Sequence, residues 1–395
     1  MSEDFAVNSR SMLFFVHTAL HPRQIPMNAI DLLPQELIDA IIDNLPHSSL
    51  HFSSLIAKRW RTRSQQRAFG FMRFLSEYEV DRWHSDIQGE RSKILSYVHT
   101  VQFRSISSWW NEPALPGRVL KGFPSLTTLM IHASVIPDEL PGQISCGEFG
   151  RGITTLYILY PFCLLSVTVS LILSLPDLKE LAVSLNHQGG VSSASSVTPK
   201  TLERLELRQH TSGVSEVLIR SQFKSKYLCL GSNDSNAQRL FALSAEILVG
   251  LRLDGVWICG FLTAKEMIAI FADHRTRSPI HALISPPSFP SLTSLWISVF
   301  EGEPTHWLTS TLSSITSTPT LGVVEIQYAS DKVYNSRSDK WDDVDGWLAR
   351  VTQRTTVEGG PVVALRRWSF GVSLGEALLP RFRKAGGIVK IDPRR

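Results

Sequence analysis

The feature that most constrains this chain is a short apolar-x-apolar core that recurs along most of its length. It occurs at Val101/Phe103, Leu129/Ile131, Leu156/Ile158, Leu181/Val183, Leu205/Leu207, Leu228/Leu230, Leu251/Leu253, Leu295/Ile297, Val324/Ile326 and Trp368/Phe370. Successive starts are 28, 27, 25, 24, 23, 23, 44, 29 and 44 residues apart. Alternation with a period of two is the mark of a strand with one face turned inward. A spacing near 25 residues leaves room for one strand, one return segment and two turns, so the units are expected to stack side by side as parallel strands. The two gaps of 44 would hold a missed unit or an inserted loop.

The wording around the cores repeats too. Phe123-Pro124-Ser125-Leu126-Thr127-Thr128-Leu129 and Phe289-Pro290-Ser291-Leu292-Thr293-Ser294-Leu295 are near copies, and Leu175–Leu181 and Thr198–Leu205 are variants. Proline ends the preceding segment, and a Leu three residues before the core turns inward. The period is that of leucine-rich repeats, without their strict Asn at most positions. Gly189–Ser196 and Asn335–Lys340 read as polar surface loops. Trp341–Leu348 reads as a helix start with acidic residues in its first turn.

A different signal precedes the repeats. From Ile30 to Leu45 the chain reads as a helix: Asp31 or its neighbour can cap it, Pro34 suits the first turn, and Glu36 favours the positive end of the dipole. Leu33, Leu37, Ile41 and Leu45 fall four apart with Ile38 and Ile42 alongside, and Pro46 stops the helix. Leu50, Phe52, Leu55, Ile56 and Trp60 form a second apolar face, followed by the basic run Lys58–Arg63. Two such faces exceed what a unit of some forty residues can bury within itself, which suggests a partner.

Leu33-Pro34-x-Glu36-Leu37, the Ile41-Ile42-x-x-Leu45 ending and Ser49-Leu50-x-x-Ser53-Ser54-Leu55-Ile56-Ala57-Lys58-Arg59-Trp60 resemble an F-box, more narrowly that of basidiomycete fungal proteins. Ser49 and Ala57 depart from the acidic residue and the Cys often found at those places, but neither removes an apolar anchor. The resemblance implies a three-helix module that docks on the Skp adaptor of a cullin-RING ubiquitin ligase. The docking residues would be Leu33, Pro34, Leu37, Ile41, Leu45, Leu50, Leu55, Ile56 and Trp60. The repeats would then recruit an unknown target protein.

The expected fold class is α+β: a small all-α F-box helical bundle followed by an irregular α/β leucine-rich-repeat-like solenoid. Its parts would be a disordered leader over 1–27, the F-box over 28–70, a helical linker over 71–92, where Phe69, Phe71, Met72, Phe74 and Leu75 are densely apolar, and the repeats over 93–395. At 395 residues the chain exceeds one compact core.

No cofactor, metal or catalytic set is indicated. Gly371-Val372-Ser373-Leu374-Gly375 matches a nucleophile elbow, but no His lies beyond His306 to complete that chain order. Asp342, Asp343 and Asp345 lack the Gly and Glu of a calcium loop, and His47 and His51 lack a third ligand. A net charge of +4 does not argue for nucleic acid, and the cluster Lys58, Arg59, Arg61, Arg63 and Arg67 is read as a solvated helix face. The uncharged run 156–175 has the length of a membrane span, but Pro161 and several hydroxyl residues interrupt it. Four widely spaced cysteines without a C-x-x-C fit reduced, mostly buried thiols in a cytoplasmic or nuclear protein. Trp109, Trp110, Trp257, Trp296 and Trp307 are candidate target contacts. The expected function is a non-catalytic substrate receptor; the alternative is an F-box/repeat scaffold that assembles no active ligase.

Overall fold

The structure is a computed structural model. It describes residues 33–87, 92–106, 112–146, 148–161, 164–185, 199–208, 211–231, 236–254, 291–300, 323–329, 362–368 and 380–385, together with Asp345, Gly346 and Ala349. The leader, both polar loops, the Gly371–Gly375 motif, Asp342, Asp343, Cys163, Cys259 and Trp109, Trp110, Trp257 and Trp307 lie outside them. The chain divides into two compact units, one ending at Ala68 and the other beginning at Phe69.

The first unit holds α1 (Gln35–Asn44), a 3-10 turn (His47–Ser49), α2 (Leu50–Ile56) and α3 (Lys58–Phe69). Pro34 itself stands at the cap of α1, and its carbonyl receives the N–H groups of Leu37 and Ile38 at 3.1 and 3.2 Å. Among the described residues, the unit's apolar core is Ile38, Ile42, Leu50 and Trp60, with Leu33, Leu45, Ala57 and Ala68 packed on it.

The second unit is built on one sheet of eleven strands, all pairs parallel, with the strands in sequence order. They are β1 (Phe71–Phe74), β2 (Thr100–Arg104), β3 (Thr128–His132), β4 (Thr155–Leu159), β5 (Glu180–Ser184), β6 (Thr201–Leu207), β7 (Lys224–Gly231), β8 (Gly250–Asp254), β9 (Ser294–Phe300), β10 (Val323–Ala329) and β11 (Val362–Trp368). Helices lie between the strands in the chain: α4 (Glu77–Ile87), α5 (Ser92–Leu95), α6 (Leu115–Lys121), α7 (Leu140–Cys146), α8 (Leu165–Leu173), α9 (Ser212–Arg220) and α10 (Ala237–Ser244), with α11 (Pro380–Lys384) after β11.

The expected α+β class is therefore corrected. Parallel neighbours need crossover connections, so helices interleave with strands and the class is α/β. Among the described residues no small all-α bundle precedes the sheet: four buried apolar side chains are too few for a closed bundle core, and much of the apolar surface of α1 and α2 stays outside. The helical linker over 71–92 is corrected as well. Met72 and Phe74 pair in register with Val101 and Phe103, so the sheet begins at Phe71. Short dense apolar runs do not distinguish helix from strand by periodicity.

The apolar-x-apolar cores from Val101 to Ile326 lie on β2–β10 in mutual register. On β11 the register partners of Val324 and Ile326 are Val363 and Leu365, which replaces Trp368/Phe370 as the last core. Strand β8 pairs directly with β9, and β10 directly with β11. The Leu three residues before the core is buried at Leu126, Leu178, Leu202, Leu248 and Leu292. One continuous core joins these residues to Val119, Leu120, Ile144, Leu171, Ile172, Val217, Leu218 and Leu240 of the helices.

Backbone hydrogen bonds repeat with the sequence. Ahead of the strands one carbonyl receives two consecutive N–H groups: Gly70 from His99 and Thr100, His99 from Thr127 and Thr128, Thr127 from Thr154 and Thr155, Thr154 from Lys179 and Glu180, and Val249 from Thr293 and Ser294. After β2, β3 and β4 the chain turns through the left-handed region at Ser105, Ala133 and Tyr160, with φ of 58°, 48° and 54°. Their N–H groups reach His132, Leu159 and Ser184 carbonyls at 2.9, 2.8 and 2.7 Å. This turn splits the uncharged run 156–175 into β4 and the nine-residue α8. Among the described residues no helix is long and apolar enough to cross a membrane.

Candidate functional site: an uncovered apolar face on the first unit

On α1 two apolar stripes run side by side, Leu37/Ile41 and Ile38/Ile42. Adjacent residues lie about 100° apart around a helix, so both cannot face the same core. The structure turns Ile38 and Ile42 inward, each 0 % exposed, and leaves Leu37 52 % and Ile41 41 % exposed. On α2 only Leu50 is buried among the large apolar residues; Phe52, Leu55 and Ile56 are 65, 76 and 52 % exposed.

The nine residues expected to dock thus fall into groups. Leu37, Ile41, Leu55, Ile56 and Pro34 are exposed, Leu33 and Leu45 half-buried, and Leu50 and Trp60 buried. Leu50 and Trp60 belong to the unit's own core. Phe52 was missing from the set although it is exposed; its place two residues after Leu50 on the same short helix could have drawn attention to it.

Arginines of α3 spaced four apart tie α1, which carries part of this face, to α3. An Arg59 amino group donates to the Leu33 carbonyl at 2.8 Å. Arg63 meets Asp43 through Nε and an amino group, and Arg67 donates to the carbonyls of Ile42 and, at 3.1 Å, Leu45. α1 has no basic residue in its last turn, so Arg67 supplies from α3 the positive charge its carbonyl end favours. Of the basic cluster, Arg63 and Arg67 are half-buried against α1, while Lys58, Arg59 and Arg61 are exposed. The Arg63 hydrogen bond first, and the charges of Arg63 and Arg67, hold the Asp43 carboxyl below its ordinary range, against a smaller opposing effect of burial.

Inside, the Ser53 hydroxyl donates to the Leu50 carbonyl at 2.8 Å and lies 2.7 Å from the Ser64 hydroxyl. This buried pair joins α2 to α3. Among the described residues, His47 and His51 gain no third metal ligand. Of the cysteines described, Cys229 is buried and Cys146 exposed. Trp296, one of the candidate target contacts, lies under the Arg252 guanidinium at 4.1 Å.

Comparison with protein-family models and with curated proteins finds no match for this chain.

Proposed function

We propose that this protein is a non-catalytic substrate receptor. Its first unit binds the Skp adaptor of a cullin-RING ubiquitin ligase, and its second unit holds a target protein. The observation that carries the reading is the apolar face of Leu37, Ile41, Phe52, Leu55 and Ile56, left uncovered on a unit with its own small core. Exposed apolar side chains grouped on one small unit mark interaction surfaces, and such surfaces concentrate binding in a few anchors. The F-box-like wording of residues 33–60 supports the adaptor as the partner. The receptor works by proximity, holding the target beside the transfer machinery.

The test is capture of a purified fungal Skp adaptor by the full chain. Leu37→Asp is expected to reduce binding by roughly 100-fold, since it buries an unpaired charge in the interface. Because Leu37 is exposed in the free protein, this variant keeps its helical signal. Unchanged capture by the variant, or none by the wild type, overturns the reading. Recovery of a cullin with the adaptor favours the ligase receptor over a scaffold that binds the adaptor alone.

A further inference from the structure

The sheet face opposite the core carries Arg73, Gln102, Arg104, Met130, His132, Tyr157, Glu206 and Arg252, alternating with the buried cores. Three other arginines on or beside this face, Arg204, Arg208 and Arg252, have partners. Glu206 sits between Arg208, whose Nε donates to it at 2.6 Å, and Arg204 at 3.4 Å. Arg252 stacks on Trp296.

Arg73 and Arg104 differ. Arg73 donates to the neutral Gln102 amide at 2.9 Å and lies 5.4 Å from the Phe71 ring. Neither arginine has a carboxylate partner among the described residues. Arg73 pairs in register with Gln102, two residues before Arg104, and Arg104 pairs with His132. Strand spacing and rise put the two arginine Cα atoms about 8 Å apart on one face. Burial and then the Arg104 charge pull Arg73 below its ordinary value. Burial, then Arg104 and Arg73, hold His132 below the usual imidazole range, so near neutral pH the cluster carries two positive charges.

We propose that Arg73 and Arg104, with His132 beside them, form a docking site for an acidic peptide segment of the target, with carboxylates on alternate residues. Residues i and i+2 of an extended peptide lie about 7 Å apart on one side, close to the separation of the two arginine Cα atoms. Each guanidinium presents a fork suited to one carboxylate. The nearby N–H groups of Ser105 and Ala133 are taken by the His132 and Leu159 carbonyls, so they add no backbone cradle of the kind phosphate favours. The site deepens the target-holding half of the function proposed above but uses no residue of the first unit.

The test is fluorescence anisotropy on the full chain without adaptor, using a labelled peptide of alternating Glu and Ser. The expected result is binding that weakens as salt rises. A Gln-for-Glu peptide is expected to bind at least tenfold more weakly, and Arg73→Gln and Arg104→Gln each to weaken the Glu peptide at least fivefold. Arg104→Glu, on an exposed side chain, is expected to abolish that binding while keeping the fold. The site is overturned if the Glu peptide fails to bind, if the Gln peptide binds equally, if both neutral variants bind as wild type, or if only a phosphoserine peptide binds. Adaptor capture is unaffected by these variants, so failure here leaves the docking face of the first unit to its own test.

Discussion

Arg63 grips Asp43 with two hydrogen bonds, Nε to one carboxylate oxygen at 2.8 Å and an amino group to the other at 2.6 Å. The fork joins α3 to the last turn of α1, one turn from where Arg67 closes the same helix end.

The folded-state pKa of Asp43 is depressed. Its contribution to stability is therefore complete above the unfolded carboxylate value of about 3.9 and is lost as pH falls through the lower folded value. Asp43→Asn is expected to remove this part of the acid transition. A pH series of helical circular dichroism on wild type and variant measures it, and identical curves would contradict the assignment.

The two stripes of α1 make opposite predictions. Ile38→Ala empties a fully buried site and is expected to destabilise the first unit by about 2–4 kcal/mol. Leu37→Ala is expected to change stability by less than about 0.5 kcal/mol, because that side chain already meets solvent. Urea unfolding followed by helical signal distinguishes them.

The Ser53–Ser64 pair is asymmetric. Ser64→Ala leaves Ser53 bonded to the Leu50 carbonyl and is expected to cost roughly 1 kcal/mol. Ser53→Ala strands the buried Ser64 hydroxyl and is expected to cost about 1–3 kcal/mol. A ranking in the reverse order, by urea unfolding, would refute the donor direction.

Backbone geometry in the second unit sets the sign of three substitutions between Gly and Ala. Ala133 holds φ at 48°, so Ala133→Gly is expected to stabilise by up to about 1 kcal/mol. Gly142 lies within α7 with nothing within 4 Å of an added Cβ, so Gly142→Ala is expected to stabilise by about 0.5–1 kcal/mol. Gly231→Ala would set a Cβ 2.5 Å from the Arg208 carbonyl oxygen and is expected to destabilise. Thermal melts of the three variants test the set.

The strands were legible where alternation was clean: Leu129/Ile131, Leu156/Ile158 and their successors sit where a period of two puts them. β1 was not, because Phe69, Phe71, Met72, Phe74 and Leu75 fit either period, and only pairing with Val101 and Phe103 decides. β11 was shifted because Val362–Trp368 is continuously apolar at its start, which hides the register that Val324 and Ile326 impose. At the candidate site, residue type pointed to an excess of apolar surface, but 3.6-residue spacing alone could not say which of two adjacent stripes turns inward. The roles of Arg59, Arg63 and Arg67 were out of reach for the same reason: their partners are 20 or more residues away, on carbonyls and a carboxylate of another helix.

Because every strand bonds only to those just before and after it in the chain, cohesion here is local bookkeeping between adjoining rungs. Loss or gain of a rung by recombination leaves the remaining pairs with the same neighbours they already use. Such a ladder tolerates lineage-to-lineage changes in length that a fold closed by distant pairings would not survive, and its first and last strands, each with one strand neighbour in the sheet, are expected to open before those in the middle.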